Sequence, residues 1–345
     1  MNRTGHGNTG PDPWGEDRRR PLAHSVLELI WRHRQVSRAD IARRTGLSRS
    51  TVSEIIANLL PSGLIAEVGD GPSRGGRRPI LLDFQDQAYV LLGVDMGASH
   101  VSVCLTDLRG KVFAWHHREH PVRTDPEGTG ALILELCDQC LAAKKGARRK
   151  LLGIGMAVPA PVDPRAPERL SGIVLPSWRG HPGIEGLFAV YDVPVFVDND
   201  ANLGALAEYW WGAGRGVENF AYLKVATGIG SGHMIQGRIY RGATGVAGEI
   251  GHISVDPQGH QCVCGNRGCL ATYVGSEALV ARAEALLPDF QESALHGSLR
   301  RGGITVAAIE DAALSDDPLA AKVVGEAAGY LGIVIAGVLN LMNPA

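Results

Sequence analysis

Between residues 22 and 60 the apolar residues recur three times at the three- and four-residue spacing of amphipathic helices. Two apolar or alternating segments of strand length then follow. The predicted elements are helices around Val26–Trp31, Arg38–Thr45 and Arg49–Leu60 and strands at Leu64–Val68 and Ile80–Phe84. Ser37 and Ser48 stand where N-caps are needed, and Gly46 ends the second helix.

This order of elements predicts a winged helix-turn-helix, in which Gly46 supplies the turn before the third helix. The third helix would enter the major groove with its N-terminal residues nearest the base edges. The loop between the strands sets arginines among glycines, which suits a narrow minor groove. The candidate DNA contacts are Arg49, Ser50, Ser53, Arg74, Arg77 and Arg78. The alternative is a helical hairpin used only for packing, with a solvated arginine loop.

From Tyr89 onward the pattern changes to that of an α/β domain, in which strand, glycine-rich turn and strand occur twice. The two turns are Asp95-Met96-Gly97-Ala98-Ser99 and Thr227-Gly228-Ile229-Gly230. Repetition indicates two lobes around a cleft, and successive backbone N–H groups make each turn a potential phosphate cradle. Strands are expected at Val90–Asp95, His100–Asp107, Lys111–His116, Ala221–Val225 and Ser231–Ile235.

Asp198-Asn199-Asp200 follows the apolar segment Val193–Val197 and precedes a helix expected from about Ala201. Polar residues at the carboxyl end of a strand face the crevice in which α/β proteins bind ligands. Asp200 is therefore a candidate acceptor for the proton of a ligand hydroxyl, and Asn199 for a neighbouring hydrogen bond. Asx residues in this place are also ordinary helix caps, so both interpretations stay open.

A histidine and three cysteines form the sharpest chemical pattern. They follow the spacing His-x9-Cys-x-Cys-x4-Cys, with residues His252, Cys262, Cys264 and Cys269. Three thiolates and one imidazole complete a closed tetrahedral zinc site, which is structural because it leaves no coordination position for substrate. The alternative is three buried free cysteines. If one nitrogen of His252 binds zinc, the other can meet a ligand hydroxyl beside Glu249.

The charge is unevenly distributed. Residues 1–80 hold 13 Arg and 8 acidic residues, a charge of +5, whereas the whole chain of 345 residues carries −2, which leaves −7 for the remainder. A basic end on an acidic body favours nucleic-acid binding at the N terminus. The longest apolar stretch, Leu331–Met342, is too short to span a membrane. The N terminus lacks the apolar core of a secretory signal peptide. We therefore expect a cytoplasmic protein with no membrane partner.

Taken together, these segments resemble the ROK family, which comprises repressors and sugar kinases. The specific motifs are the winged helix-turn-helix, the two glycine turns, Pro159-Ala160-Pro161-Val162, Asp198-Asn199-Asp200-Ala201-Asn202, and Gly248-Glu249-Ile250-Gly251-His252 with the cysteine loop. The resemblance implies an actin/hexokinase-like (ribonuclease H-like) fold of two lobes, a sugar in the cleft, and a homodimer or homotetramer. It also implies that Asn199, Asp200, Glu249 and His252 hold the sugar, with Asp200 as catalytic base in kinases.

The chain departs from the kinase pattern of that family at several positions. Kinases read Asp-x-Gly-Gly-Thr-Lys at the first turn, where this chain has Ala98 and His100, and a sugar-binding Glu is replaced by Ala271. The family also continues beyond the position of Asn343-Pro344, so we expect this domain to be truncated at its C terminus. The residues left at the ATP site, which we regard as vestigial, are Asp95, Gly97, Ser99, Thr227, Gly228 and Gly230.

The leading hypothesis is an α/β DNA-binding transcriptional regulator of carbohydrate metabolism, a repressor that senses a sugar or sugar derivative. An ATP- and Mg²⁺-dependent sugar kinase with a DNA-binding appendage is the alternative, and a ligand-independent DNA-binding protein is a third hypothesis. The expected domains are a disordered tail at 1–21, the winged helix-turn-helix at 22–86, and the ROK domain at 87–345 with its zinc loop at 252–269.

Overall fold

The computed structural model describes residues 20–72, 78–167, 169–171, 174–181, 183, 184 and 186–345. Contacts divide the chain into two compact units. The first unit comprises the residues up to Leu91 together with the short segments Thr106–Val112 and Arg149–Leu151, and the second comprises the rest. Residues 1–19 of the predicted tail and the wing residues 73–77, which include Arg74 and Arg77, lie outside the described residues. Arg20 and Pro21, which were predicted to belong to the tail, begin the first helix instead.

The first unit contains the three predicted helices. They are α1 (Arg20–Arg32), α2 (Arg38–Thr45) and α3 (Arg49–Leu59). The Ser37 hydroxyl accepts a hydrogen bond from the Asp40 N–H at 3.1 Å, and the Asp40 carboxylate accepts one from the Ser37 N–H, which completes a capping box. Gly46 ends α2 at φ 71°, in the left-handed region that favours glycine.

A small antiparallel sheet completes this unit in the order β1-β3-β2, with β1 (Val36–Ser37), β2 (Ile65–Asp70) and β3 (Ile80–Phe84). The apolar faces of all three helices and the sheet share one core, whose fully buried members include Val26, Ile30, Ile41, Val52, Ile56, Leu59 and Leu82. Strand β1 was not predicted, because two residues are too few for a periodic pattern. The remaining elements confirm the winged helix-turn-helix.

A five-stranded sheet, most of whose residues belong to the second unit, has the order β6-β5-β4-β7-β8. Its strands are β4 (Val90–Met96), β5 (His100–Asp107), β6 (Val112–Glu119), β7 (Leu151–Val158) and β8 (Val195–Asn199), and the helices between them are α4 (Pro126–Ala142) and α5 (Ala147–Lys150). Burial alternates along β4 and β5, as a sheet with two different faces requires. Strand β8 pairs in parallel with β7, and the pairing extends to Asn199 opposite Val158.

A second sheet in this unit has the order β11-β10-β9 and is formed by β9 (Phe220–Val225), β10 (Ile229–Ile235) and β11 (Arg238–Ile239). Helix α6 (Asp200–Trp211) packs against β9 and β10. The remaining helices are α7 (Ala271–Val274), α8 (Ser276–Leu286), α9 (Leu295–Arg300), α10 (Val306–Leu314) and α11 (Pro318–Met342). Two apolar clusters bury residues of α11 against this sheet and against the helical group α8–α10.

Helix α11 is longer than the predicted apolar stretch, since it spans 25 residues. Asp317 caps its N terminus, and Val323, Ala327, Val334 and Val338 form its buried face. Its length and a mean hydropathy of 1.6 would allow a membrane span, but a core helix has the same properties, so this is weak evidence. The buried face ties the helix to the core of the second unit.

Candidate functional site

A cavity of about 630 Å³ in the second unit collects most of the predicted cleft residues. All four predicted sugar ligands, Asn199, Asp200, Glu249 and His252, line it. Gly97, Thr227, Gly228 and Gly230 from the predicted phosphate turns line it as well, whereas Asp95 and Ser99 are not among the lining residues. The cavity therefore lies where the sequence places a cleft, between the ends of the two sheets.

Asn199 ends strand β8 and caps helix α6. Its side-chain oxygen accepts hydrogen bonds from the N–H groups of Ala201 at 2.9 Å and Asn202 at 3.2 Å. Its amide nitrogen donates to the Ala160 carbonyl at 3.3 Å. The helix-cap interpretation is thus correct for Asn199, and the same bonds fix the residue at the edge of the cavity.

Asp200 is the first residue of α6 and is largely buried. One of its carboxylate oxygens, Oδ2, accepts a hydrogen bond from the amine of Lys224, which projects from the neighbouring strand β9. Lys224 also lines the cavity. A ligand hydroxyl that binds Oδ2 of Asp200 has to compete with this amine.

Glu249 also lines the cavity. Burial, together with the charge of Asp200, raises the pKa of Glu249 to about 7. Its carboxylate lies 3.9 Å from Nε2 of His252. A half-buried carboxyl and an imidazole edge that line the same cavity can receive hydroxyl groups of a polar ligand.

The first glycine turn is covered by one of its own side chains. A Cβ placed on Gly97 would lie 2.2 Å from the His100 ring, so the ring rests directly on the backbone where a phosphate would approach. Nε2 of His100 lies 3.2 Å from the Asp95 carboxylate. The turn is therefore filled by an imidazole that is itself paired with an acid.

The predicted metal ligands come together. Their nitrogen and sulfur atoms all lie within 4.8 Å of one another, although they come from the 3₁₀ turn at Ile250–His252 and from the cysteine loop. Nδ1 of His252 is 3.5 Å from the Cys262 sulfur, and the Cys264 and Cys269 sulfurs are 3.6 Å apart. Burial lowers the pKa of His252, which favours the neutral imidazole that a metal requires.

In the first unit, the predicted recognition helix α3 presents a polar face. Arg49, Ser50 and Ser53 are exposed, while Val52, Ile55, Ile56 and Leu59 are buried on the opposite face. The Ser53 hydroxyl donates to the Arg49 carbonyl at 2.9 Å, and the Ser48 and Ser50 hydroxyls lie 2.8 Å apart. Arg78, at the described end of the wing, is exposed.

Family models match both units of the chain. Residues 91–345 match the ROK family, and residues 19–78 match the MarR family. The chain belongs to the ROK family. Its fold class is accordingly an α/β ROK domain behind a winged helix-turn-helix, as the sequence pattern predicts.

The ROK relatives include regulators that resemble this chain over nearly its whole length. The xylose repressor of Bacillus spizizenii is 32% identical over 319 residues, which cover 92% of this chain and 79% of the repressor. A solved ROK family transcriptional regulator, a homologue of the E. coli MLC protein, matches with a TM-score of 0.76 and 27% identity and covers 94% of this chain and 81% of its own.

A ROK kinase matches a smaller part of the chain. The glucokinase of Streptomyces griseus, solved with glucose and AMPPNP, is 31% identical with a TM-score of 0.61, and the match covers 74% of this chain and 80% of the kinase. The fold is thus shared by repressors and kinases, while the longer matches are regulators. This chain is a ROK family transcriptional regulator.

The sequence did not reveal three cations near the cavity. Lys224 pairs with Asp200, Arg241 pairs with Asp198, and Arg123 at the cavity lies 3.0 Å from Glu277. Each partner is 24 to 154 positions away along the chain, so no local spacing connects them. Lys224 gave no such signal by itself, because a lysine in a strand is most often an ordinary surface residue.

Proposed function

We propose that this ROK regulator represses transcription by binding operator DNA through α3 and the wing, and that a sugar or sugar derivative in the cavity controls this binding. The observation that carries the proposal is the joint presence of a cavity lined by Asn199, Asp200, Glu249 and His252 and a winged helix-turn-helix in one chain. A ligand that favours one arrangement of the protein shifts the population between states of different operator affinity.

A sensing role is favoured over sugar phosphorylation by the contents of the cleft. The His100 ring occupies the first phosphate turn, and Ala98 adds a methyl group to the same backbone. Oδ2 of Asp200, the expected base, is already held by Lys224. A phosphoryl donor would have to displace the His100 ring, and a sugar hydroxyl would have to displace the Lys224 amine from Asp200. We therefore propose that the protein is not an enzyme.

The metal that fits the four ligands best is zinc. Tetrahedral coordination with Zn–S near 2.3 Å and Zn–N near 2.0 Å requires sulfurs about 3.8 Å apart and a sulfur–nitrogen separation of about 3.5 Å. Two of the six separations among the ligand atoms, at 3.6 and 3.5 Å, match this geometry, and all six lie within 4.8 Å. Bound zinc would hold the cysteine loop and the Nδ1 side of His252, which leaves Nε2 directed towards Glu249 and the cavity.

The effector class is a neutral or weakly charged sugar. The lining combines carboxylate, amide and imidazole groups with apolar surface, which suits the polar edge and apolar face of a pyranose. Two cations in the lining, Lys224 and Arg123, are already paired with Asp200 and Glu277. The relative named above is a xylose repressor, so xylose is the first sugar to test. Glucose and N-acetylglucosamine extend the panel to hexoses and N-acetylhexosamines.

DNA recognition requires two copies of the reading helix for a palindromic operator. We propose a homodimer or homotetramer that acts in the cytoplasm and places two α3 helices one turn of the duplex apart, about 34 Å. The candidate contacts are Arg49, Ser50 and Ser53 on α3 and Arg74, Arg77 and Arg78 in the wing.

The testing experiment is in vitro selection of operator DNA with the full-length protein, followed by titration of the complex with D-xylose, D-glucose and N-acetyl-D-glucosamine. We expect a selected palindrome and release by one class of sugar. A protein that selects no sequence contradicts the DNA-reading role, and a selected operator that no sugar affects favours a ligand-independent regulator. Sugar-dependent ATP turnover in a coupled assay would establish the kinase alternative.

A further inference from the structure

Asp198 is a buried carboxylate at the junction of strand β8 and the cavity. Its Oδ1 accepts hydrogen bonds from the Asn199 N–H at 2.8 Å and from the Asn202 amide at 3.0 Å. Its Oδ2 accepts two from the Arg241 guanidinium, at 2.9 Å from Nε and 2.6 Å from Nη2. Both oxygens are thus satisfied, and the only cation among these donors is Arg241.

Arg241 begins the loop that leads from β11 to Glu249. Further along this loop, Gly245 has φ 82°, and a Cβ there would lie 1.8 Å from the Val162 carbonyl oxygen, so the loop backbone packs directly against the turn that follows β7. The amide of Asn199 donates to Ala160 in the same turn. The loop therefore meets the β7–β8 edge at two places, through Arg241 and through Gly245.

These contacts connect the two halves of the cavity wall. Asn199 and Asp200 follow Asp198 directly, and Glu249 and His252 follow the loop that Arg241 and Gly245 anchor. The three atoms nearest to a Cβ at Gly245 are all backbone atoms of Val162 and Asp163, so this contact limits how closely the loop approaches the turn. The Arg241–Asp198 pair fixes both direction and distance, because a guanidinium donates from a rigid planar fork.

We propose that Arg241 is the positioning residue of the effector site: it holds the Asn199–Asp200 half and the Glu249–His252 half at the separation that a sugar needs. The proposal rests on the proposed sugar-sensing function. Arg241 acts through Asp198 and the loop, and it is not assigned a contact with the ligand. Its removal would leave a buried carboxylate without a cation. Of the two contacts between the loop and the β7–β8 edge, only the one at Gly245 would remain, while Ser231 of β10 would still hold Gly248 through two hydrogen bonds.

The test compares Arg241→Met, Arg241→Lys, Asp198→Asn and the double variant Asp198→Asn/Arg241→Met in the full-length protein. Arg238→Met is the matched control, since Arg238 is an exposed arginine three residues earlier in β11. Isothermal titration with D-xylose, D-glucose and N-acetyl-D-glucosamine measures the sugar Kd. Hydrogen exchange of residues 198–204 and 241–252 measures the two halves of the site without any ligand.

For Arg241→Met we expect a sugar Kd about tenfold or more higher, as is typical when a supporting partner of a binding group is lost. Exchange should speed up about tenfold or more in both segments. For Arg241→Lys, the sugar Kd and the exchange rates should lie between those of Arg241→Met and wild type. The control Arg238→Met should have the Kd and exchange rates of wild type. The double variant should bind sugar no worse than the weaker single variant, because both substitutions break one interaction.

A lower melting temperature with wild-type sugar affinity would show a purely structural ion pair and overturn the proposal. Faster exchange confined to residues 241–252, or additive effects in the double variant, would overturn it as well. If the wild-type protein binds none of the three sugars, the proposed function fails for this panel. In that case the exchange pattern still decides whether Arg241 holds the two segments together.

Discussion

The amine of Lys224 and the carboxylate of Asp200 form an ion pair within the cavity of the second unit. Asp200 is the residue that the family resemblance marks as the catalytic base of sugar kinases. In this chain one of its oxygens is engaged before any ligand arrives. The pair therefore affects a sensor and a kinase differently. In a sensor, Asp200 only has to exchange the Lys224 amine for a sugar hydroxyl. In a kinase, Asp200 also has to accept a proton from that hydroxyl.

Substitutions of the two residues should have opposite effects on sugar affinity. Asp200→Asn should raise the Kd by about tenfold or more, because a charged acceptor is lost. Lys224→Met should lower the Kd by about threefold, since the sugar hydroxyl no longer competes with the amine for Oδ2. Isothermal titration measures both, with Lys322→Met on α11 as the control. A weaker complex for Lys224→Met would show that Lys224 itself binds the sugar.

The proposed zinc site predicts the outcome of a cysteine substitution. Cys262→Ser should reduce the zinc content from one equivalent per chain to about a tenth or less and lower the melting temperature, because a structural zinc ion contributes directly to folding. Elemental analysis and thermal unfolding measure these changes. Cys104→Ser, in strand β5 outside the cluster, should keep its zinc. Wild-type protein without zinc would contradict the assignment.

The recognition helix predicts a salt-dependent effect on operator binding. Arg49→Ala should weaken binding by about tenfold and reduce the slope of log K against log salt by about 1, because one cation no longer displaces counterions from the DNA. Fluorescence anisotropy over a salt series measures both quantities. Arg165→Ala, an exposed arginine of the second unit, is the control. An unchanged slope for Arg49→Ala would remove Arg49 from the interface, and Arg77→Ala tests the wing in the same way.

Asp317 predicts a pH-dependent contribution to stability. Burial raises the pKa of Asp317, but hydrogen bonds from the Ala320 and Ala294 N–H groups, the Ser293 hydroxyl and the Leu319 N–H outweigh it, so the pKa lies below 3.8. A lowered pKa means that the stabilisation is present above the unfolded value and is lost as the pH falls through the folded value. Asp317→Ala should therefore cost about 1–3 kcal/mol at pH 7 and progressively less below about pH 4.

Chemical denaturation of wild type and Asp317→Ala at several pH values measures that difference. Glu310→Ala, an exposed residue of α10, is the control and should change the free energy of unfolding by less than about 0.5 kcal/mol at each pH. A cost for Asp317→Ala that stays constant as the pH falls would show that packing, rather than the carboxylate, stabilises this junction of α9 and α11.

Most of the local structure could be predicted from the sequence. Ser37, Ser48 and Gly46 bound their helices as expected, because caps act through atoms only two or three residues away. The clustering of the three cysteines with His252 was predictable for a similar reason, since short glycine-containing spacings restrict where the sulfurs can lie. The boundary of β8 was not, because its pairing with β7 carries the strand to Asn199, two residues beyond the apolar segment.

The sequence by itself indicated the family, a winged helix-turn-helix ahead of an α/β domain and the capped helix α3, and it predicted the cleft residues and a His/Cys cluster, because all of these follow from short-range patterns. Only the tertiary structure decided how the charges of the cleft are paired. Lys224 reaches Asp200 across 24 positions, Arg241 reaches Asp198 across 43, and Arg123 reaches Glu277 across 154. Such pairs depend on strand register and on the packing of α6 on its sheet, which set side-chain directions that no local pattern contains.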